Sequence, residues 1–380
     1  MKHLTSSPAL LAIIAALAVT ACSGDDDLEV QIRALRVLGS ASLPTGTLYQ
    51  GVEFGGISGL DKAADGTYWA ISDDRGGERG TPRFYNLSID YESNSPVQVK
   101  INRQLHMLQP DGTTFSSSAR TVDPESIRRA PNGNLYWTSE GNWSSEPSQL
   151  YQPFLREMTT EGRFVREFSV PAMYLYRDDT TTGARNNKVF EALAVAEDGT
   201  VYVANEDALV QDGPITSMHA GSVVRVTAMD PASGNAKAQY VYRLPPIPVD
   251  AAPGAGAAFG PDNGLSELLS IGRNRFIAVE RAFAPGVGNT IRLVETEITA
   301  TTTNVLAVPS LTSASYSAMG RKVLLEMPIT HQGIKLDNIE SITWGKTLAN
   351  GRRTLVLAAD NNFTARIQTN QFIVLEVVTD

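Results

Sequence analysis

The sequence predicts an all-β chain folded as a single β-propeller of about six four-stranded blades. Three observations carry this. A hairpin unit recurs five times, the second strand of each unit is apolar almost throughout, and the units return at a period long enough for a four-stranded sheet.

The units, in order, are "ISGLDKAADGTYWAISDD", "PESIRRAPNGNLYWTSEG", "FEALAVAEDGTVYVANED", "LSELLSIGRNRFIAVERA" and "IESITWGKTLANGRRTLVLAADNN". Their turns fall at Asp65-Gly66, Asn132-Gly133, Asp198-Gly199, Arg273-Asn274 and Asn350-Gly351. Tight hairpins need positive φ, and Gly or Asn adopts it at least cost. The strands that follow, "TYWAIS", "NLYWTS", "TVYVAN", "RFIAVE" and "TLVLAA", do not alternate. A strand buried on one face alternates; one buried on both does not. Blades stacked around an axis bury both faces, whereas a sandwich, the rival fold, leaves one face wet.

From Ser58 to Glu125 is 67 residues, and the steps to Glu191, Glu267 and Glu340 are 66, 76 and 73. The chain ends, residues 30–50 and "QFIVLEVV" at 371–378, can pair to close one more blade. "PPIPVDAAPGAGAAFGPDNG" (245–264) reads as a surface loop between blades, because the hairpin pattern resumes directly after it. Residues 31–380 therefore form one domain.

Residues 1–21 are set apart. A short basic start, the apolar run "ALLAIIAALAVTA" and small residues before Cys22 read as a bacterial export signal. "VTAC" looks like a lipobox, which makes Cys22 the lipid-modified first residue of the mature chain; an ordinary cleaved signal is the alternative. Residues 22–30 are then a solvated tether. The expected location is the periplasmic side of the envelope, with Ser23 favouring the outer membrane and the lipid as the only membrane contact. Cys22 is the only cysteine, so the domain has no disulfide and no thiol nucleophile.

A net charge of -9 argues against nucleic acid or an anionic membrane surface as partner. The acids are also placed together. Glu125 and Glu140 are centred on the Asn132-Gly133 turn, Glu191 and Glu206 on Asp198-Gly199, Glu267 and Glu280 on Arg273-Asn274, and Glu340 and Asp360 on Asn350. In the first unit Ser58 faces Asp73, with Asp74 beside it. Facing side chains in a hairpin have Cβ atoms about 5 Å apart, and like charges there destabilise the sheet unless something neutralises them. Equivalent strand ends gather at one face of a propeller, so the sequence predicts an acidic ring. It either caps blade ends through amides and arginines or binds a cation. Oxygen-only ligands suit Ca²⁺, with Mg²⁺ second. Zinc is disfavoured, since His106, His219 and His331 lack ligand spacing.

"GGISGL…YWAISDDRG", "DPESI", "NKVFEALAVAEDGTVYVANE", "NGLSELL…RFIAVERAF" and "DNIESITWG…RTLVLAADNNF" stand in the order seen in the phytase-like family ("esterase-like activity of phytase") of exported bacterial propellers, which residues 50–380 resemble. The resemblance implies a propeller, an acidic face and a phosphoester-hydrolase activity similar to that of calcium-dependent propeller phytases. A serine esterase fits less well, because "GGISGL" lacks the nucleophile-elbow spacing and no histidine lies in a repeated motif. Metal-assisted hydrolysis needs cations, activated water and basic groups to orient the anion. Lys188, Arg281 and Arg75 stand beside the acids, as phosphate ligands or as salt-bridge partners between blades. The candidate metal ligands are Asp73, Asp74, Glu125, Glu140, Glu191, Glu206, Glu267, Glu280, Glu340 and Asp360. Glu191 and Glu206, with Lys188, Arg281 and Arg75, are also the catalytic candidates. The expected partner is a small phosphorylated or ester substrate, and the expected state a monomer. A non-catalytic, metal-loaded binding propeller is the alternative.

Overall fold

A computed structural model describes Met1 and residues 31–379, apart from residues 77, 94, 179–180, 257–259 and 365–366. The export segment, Cys22 and the tether lie outside the described residues.

Five four-stranded antiparallel sheets make up the blades. Blade 1 comprises Ile57–Lys62, Tyr68–Ser72, Arg83–Asp90 and Gln98–His106. Blade 2 comprises Pro124–Arg129, Leu135–Ser139, Phe154–Met158 and Phe164–Glu167. Blade 3 comprises Phe190–Val195, Val201–Asn205, Ser222–Met229 and Ala236–Leu244. Blade 4 comprises Asp262–Gly272, Arg275–Ala284, Gly288–Glu297 and Gly320–Met327. Blade 5 takes Asn338–Trp344, Thr354–Asp360 and Asn370–Thr379 from the C-terminal end and Ile32–Leu43 from the N-terminal end.

The terminal strands pair as expected, Ile32 opposite Thr379 through Leu43 opposite Asn370. They do not form a blade of their own, and the count is five instead of about six. Asn370–Thr379 also pairs with Thr354–Asp360, so the ends complete the sheet begun by the fifth hairpin. That join closes the ring through backbone hydrogen bonds between the two ends of the domain.

The apolar second strands are buried on both faces. In blade 1, Tyr68 and Ala70 pack with Val356, Ala358 and Phe372 of blade 5. Trp69 and Ile71, on the other face, pack with Ile127, Leu135 and Trp137 of blade 2. Similar clusters join blades 2 and 3, 3 and 4, and 4 and 5. The predicted turns hold, with positive φ at Gly66, Gly133, Gly199, Asn274 and Gly351. They point to one end of the propeller. The opposite ends of the same hairpins carry the acids.

Candidate functional site: a buried carboxylate ring

Each innermost strand carries a one-residue bulge near its start. The bulged residue is Ser58 in blade 1, Glu191 in blade 3, Ser266 in blade 4 and Glu340 in blade 5, and Glu125 takes the matching place in blade 2. A bulge leaves one residue unpaired and re-aims its side chain. Two residues before it, a backbone carbonyl meets the second strand. Gly56 meets Asp73, Asp123 meets Glu140 and Val189 meets Glu206. Gly264 pairs with Arg281 and Asn338 with Asp360. The ring is therefore Ser58/Asp73, Glu125/Glu140, Glu191/Glu206, Ser266/Arg281 and Glu340/Asp360.

Glu267 and Glu280 lie outside it. Both Glu267/Glu280 and Ser266/Arg281 are centred on the blade 4 turn, so the midpoint fixes which strands face but not the depth along them. A one-residue slip turns a side chain to the other face. Glu267 instead pairs with Arg128 at 2.9 Å and accepts from Ser126 Oγ at 2.7 Å and Leu193 N at 2.8 Å. Arg128 donates to the carbonyls of Leu60, Leu193 and Leu268 in blades 1, 3 and 4, which ties four inner strands together. Glu280 is held between blades 3 and 4 by Tyr242 Oη at 2.5 Å and Arg321 Nη2 at 2.8 Å. Asp74 also turns away from the ring, forming a fully buried pair with Arg83 at 2.6 Å.

Glycines make room for the ring. A Cβ at Gly56 would lie 2.0 Å from Asp73 Oδ1, and one at Gly264 would lie 2.4 Å from Glu206 Oε1. Real Cβ atoms do not approach so closely.

Two residues outside the predicted set complete the acidic group. Asp123, two residues before Glu125, joins it; Asp262, two before Gly264, lies at its edge. Carboxylate oxygens of Asp123, Glu125 and Glu140 lie within 4.8 Å of one another, and all three residues are buried. Burial drives the carboxyl groups upward. Glu140 is pushed up to about 8 by burial, then by the charges of Asp123 and Glu206. Glu340 is raised to about 7 by burial, with Arg281 opposing. Asp123 is raised to about 6 by burial against the pull of Arg75. Asp73, Glu125, Glu191 and Asp360 are held well above the usual carboxylate range by burial and neighbouring acids.

The basic residues compensate only part of the ring. Lys188 pairs with Glu206 at 2.7 Å and Asp262 at 2.6 Å. Arg281 reaches Glu206 at 3.0 Å, Glu340 at 3.4 Å and Asp262 at 3.7 Å. Asn338 Nδ2 donates to Glu340 at 2.9 Å. On the side of blades 1 and 2, the ion pair among the described residues is Arg75 with Asp123 at 3.0 Å. There, among the described residues, Ser58 Oγ, Asp73 Oδ1 and Glu140 Oε2 are buried without a hydrogen-bond partner. Tyr176, from the loop between blades 2 and 3, has a buried hydroxyl that feels the charges of Glu140 and Asp123. Sequence reading missed Asp123, Asp262 and Tyr176. For Asp123 a signal existed: in "DPESI" it stands two residues from Glu125, on the same side of an extended chain.

A family model described as "Phytase-like: Esterase-like activity of phytase" matches residues 52–363, most of the chain. The chain belongs to the phytase-like family. The matched span contains the ring residues of all five blades, from Ser58 to Asp360.

Comparison of this phytase-like chain with curated proteins found no match. Among solved structures it is similar to a protein of unknown function from Dyadobacter fermentans, with TM-score 0.42 and 11% identity over 91% of this chain and 100% of that one. A thermostable family-43 glycoside hydrolase aligns with TM-score 0.47 and 11% identity, covering 89% of this chain and 94% of that one. An endo-1,4-β-xylanase from Bacteroides thetaiotaomicron gives TM-score 0.40 and 13% identity over 90% and 91%. At these scores the similarities carry no inference about activity.

Proposed function

We propose that the chain is an exported, lipid-anchored hydrolase of phosphoesters that depends on a divalent cation, with Ca²⁺ preferred, bound on the blade 1 and 2 side of the ring. One observation carries this reading: the unpartnered oxygens Asp73 Oδ1, Glu140 Oε2 and Ser58 Oγ are buried where the acids outnumber the bases. Burying a charge without a partner is costly, and buried polar atoms are otherwise satisfied. Asp73, Asp123, Glu125 and Glu140 would hold the cation. All their donor atoms are oxygens, which fits a hard ion.

When bound, the cation supplies positive charge against phosphoryl oxygens and acidifies water. The protein's part is to hold the ligands. The Val189 N–H engages Glu140 Oε1, leaving Oε2 to face the cation or take a proton from attacking water. Arg75 holds Asp123. Lys188 and Arg281 have carboxylate partners, so their first role is to neutralise the blade 3 to 5 side of the ring, which directs an added cation to the opposite side. That engagement also favours a second reading, a metal-loaded binding propeller without turnover.

Turnover separates the two. Mature protein is assayed with p-nitrophenyl phosphate, bis-p-nitrophenyl phosphate, phytate and a short carboxylic ester, each in chelator and in Ca²⁺. Calcium-dependent release from a phosphoester supports the proposal. Calcium binding with no turnover of any of them leaves the binding reading.

A further inference from the structure

We propose that the turn end of the central channel holds a second binding site, for a small organic anion with a flat apolar body, of the aromatic carboxylate class. The site is independent of the carboxylate ring and of any turnover there.

A cavity of about 600 Å³ lies at this end, within the size range of small-molecule sites. Each blade lines it with the residue four places past its ring position on the innermost strand: Lys62, Arg129, Val195, Ser270 and Trp344. The cavity therefore sits on the propeller axis. Arg128 separates it from the ring. Its guanidinium donates to the carbonyls of Leu60, Leu193 and Leu268, two places past the ring positions of blades 1, 3 and 4, and meets Glu267 at 2.9 Å. That pair crosses the channel between its two ends.

The five lining positions divide by chemistry. Blades 1 and 2 supply cations, blade 3 an aliphatic side chain and blade 5 an indole. Elsewhere Arg83 and Arg281 are paired with carboxylates, whereas among the described residues Lys62 and Arg129 have no carboxylate partner. Lys62 Nζ donates to the Gly345 carbonyl at 3.0 Å, which leaves two of its three N–H groups unused. The acid on the wall, Asp61, is engaged through both oxygens by neutral donors, Thr343 Oγ1 at 2.9 Å and the Arg129 N–H at 2.7 Å. Arg353 adds a third positive charge, stacked on the Trp344 ring 3.3 Å from its centroid. Burial, then Arg353, holds the Lys62 ammonium below its ordinary value. Cations gathered in this way in a chain of net charge -9 repel one another until an anion joins them.

The apolar half is equally defined. Trp344 Nε1 donates to the Ser270 carbonyl at 3.1 Å, which fixes the indole against blade 4. The Lys62 ammonium sits beside that indole, because the carbonyl it bonds belongs to the next residue, Gly345. Ala63, Ala130 and Ala196, one place further along their strands, are small and keep the volume open. The mouth reaches solvent at Ala64, Arg129 and Pro131, which are exposed. An inorganic anion would use only the cations. An aromatic carboxylate uses both halves, its charge toward Lys62 and Arg129 and its ring toward Trp344 and Val195.

The test uses 2-naphthoate, titrated by calorimetry in chelator so that the ring holds no added cation, with neutral 2-naphthamide and inorganic phosphate as comparisons. Parent, Lys62→Met, Arg129→Ala and Ala64→Trp are titrated and melted, the last placing an indole in the mouth. The parent should bind 2-naphthoate saturably, about tenfold or more tightly than either comparison, and should melt higher in its presence. Each cation variant should weaken 2-naphthoate about tenfold with its own melting temperature unchanged or raised, and Ala64→Trp should abolish binding. Where Lys62→Met is itself destabilised, the exposed positions Arg129 and Ala64 decide. No saturable binding up to about 10 mM would overturn the proposal. So would equal affinity for the amide or for phosphate, or unchanged affinity in Arg129→Ala and Ala64→Trp. A lower melting temperature with unchanged affinity would show the cations to be structural and overturn it equally.

Discussion

Arg281 of blade 4 donates to Glu206 of blade 3 at 3.0 Å, from the strand position at which each of the other four blades carries a carboxylate. The repeat thus contains its own counter-ion. Blade 4 replaces Glu with Ser266 at the bulge and an acid with Arg281 opposite, which converts a symmetric acidic ring into one with a compensated and an uncompensated side.

Replacing Arg281 with Met should expose this. Glu206, Glu340 and Asp262 lose a shared cation, and the chelated protein should lose roughly 3 kcal/mol, the usual cost of removing one partner of a buried pair. Added Ca²⁺ should recover part of the loss. Denaturant melts in chelator and in Ca²⁺ check this, and equal losses in both would mean that the ring does not take a cation in place of Arg281.

Glu206 and Glu140 should respond with opposite signs. Glu206→Gln removes the partner of Lys188 and Arg281 and should destabilise by roughly 3 kcal/mol with or without Ca²⁺. Glu140→Gln keeps the acceptor for the Val189 N–H, and above pH 8 it relieves repulsion with Asp123 and Glu206. The chelated form should gain up to about 1 kcal/mol while the response to Ca²⁺ shrinks. A paired set of thermal melts at pH 8.5 compares them directly.

Stability of the metal-free protein should fall as pH rises. Folding raises the carboxyl groups of Asp123 to about 6, Glu340 to about 7 and Glu140 to about 8. Between their ordinary values near 4 and these values the folded chain holds protons that the unfolded chain has released, so stability is full below about pH 4 and is lost toward pH 8. Acid unfolding elsewhere in the chain will oppose this at the low end, so the informative window is pH 5 to 8. Calcium, competing with those protons, should bind more tightly as pH rises and flatten the decline. A melting temperature that rises through this window in chelator would contradict the buried ring.

Arg128→Met should cost about 3–5 kcal/mol, because Glu267 is left buried and three inner-strand carbonyls lose their donor. Arg128→Met combined with Glu267→Met should recover part of that loss, since the stranded charge is gone. Full additivity in the double mutant would show that the two do not act as a pair.

Cys22→Ser tests the anchor. The variant should leave membrane fractions or remain unprocessed, and an unchanged fractionation would exclude lipid attachment at Cys22.

The sequence by itself determined the propeller, because the evidence for it is local. A turn Gly or Asn marks each hairpin, and the continuous apolar strands from Tyr68, Leu135 and Val201 state burial on both faces within a few residues. The carboxylate pairs of blades 2, 3 and 5 were legible for the same reason, since each is set across its own turn. Only the tertiary structure decided the rest. Whether the terminal strands made a sixth blade depended on which edge Asn370–Thr379 joined, a contact between distant parts of the chain. In blade 4 the midpoint could not set depth. A separation of 15 residues, shared by Ser58/Asp73, Glu125/Glu140 and Glu191/Glu206, picks out Ser266/Arg281, but those residues do not look like the pattern and Glu267/Glu280 do. Asp262 stands at the first position of its blade 4 strand, outside the repeated pair, and Tyr176 lies in a loop, where no period operates. The division between a compensated and an open side of the ring arises from distances among five blades, and a sequence read one hairpin at a time does not contain them.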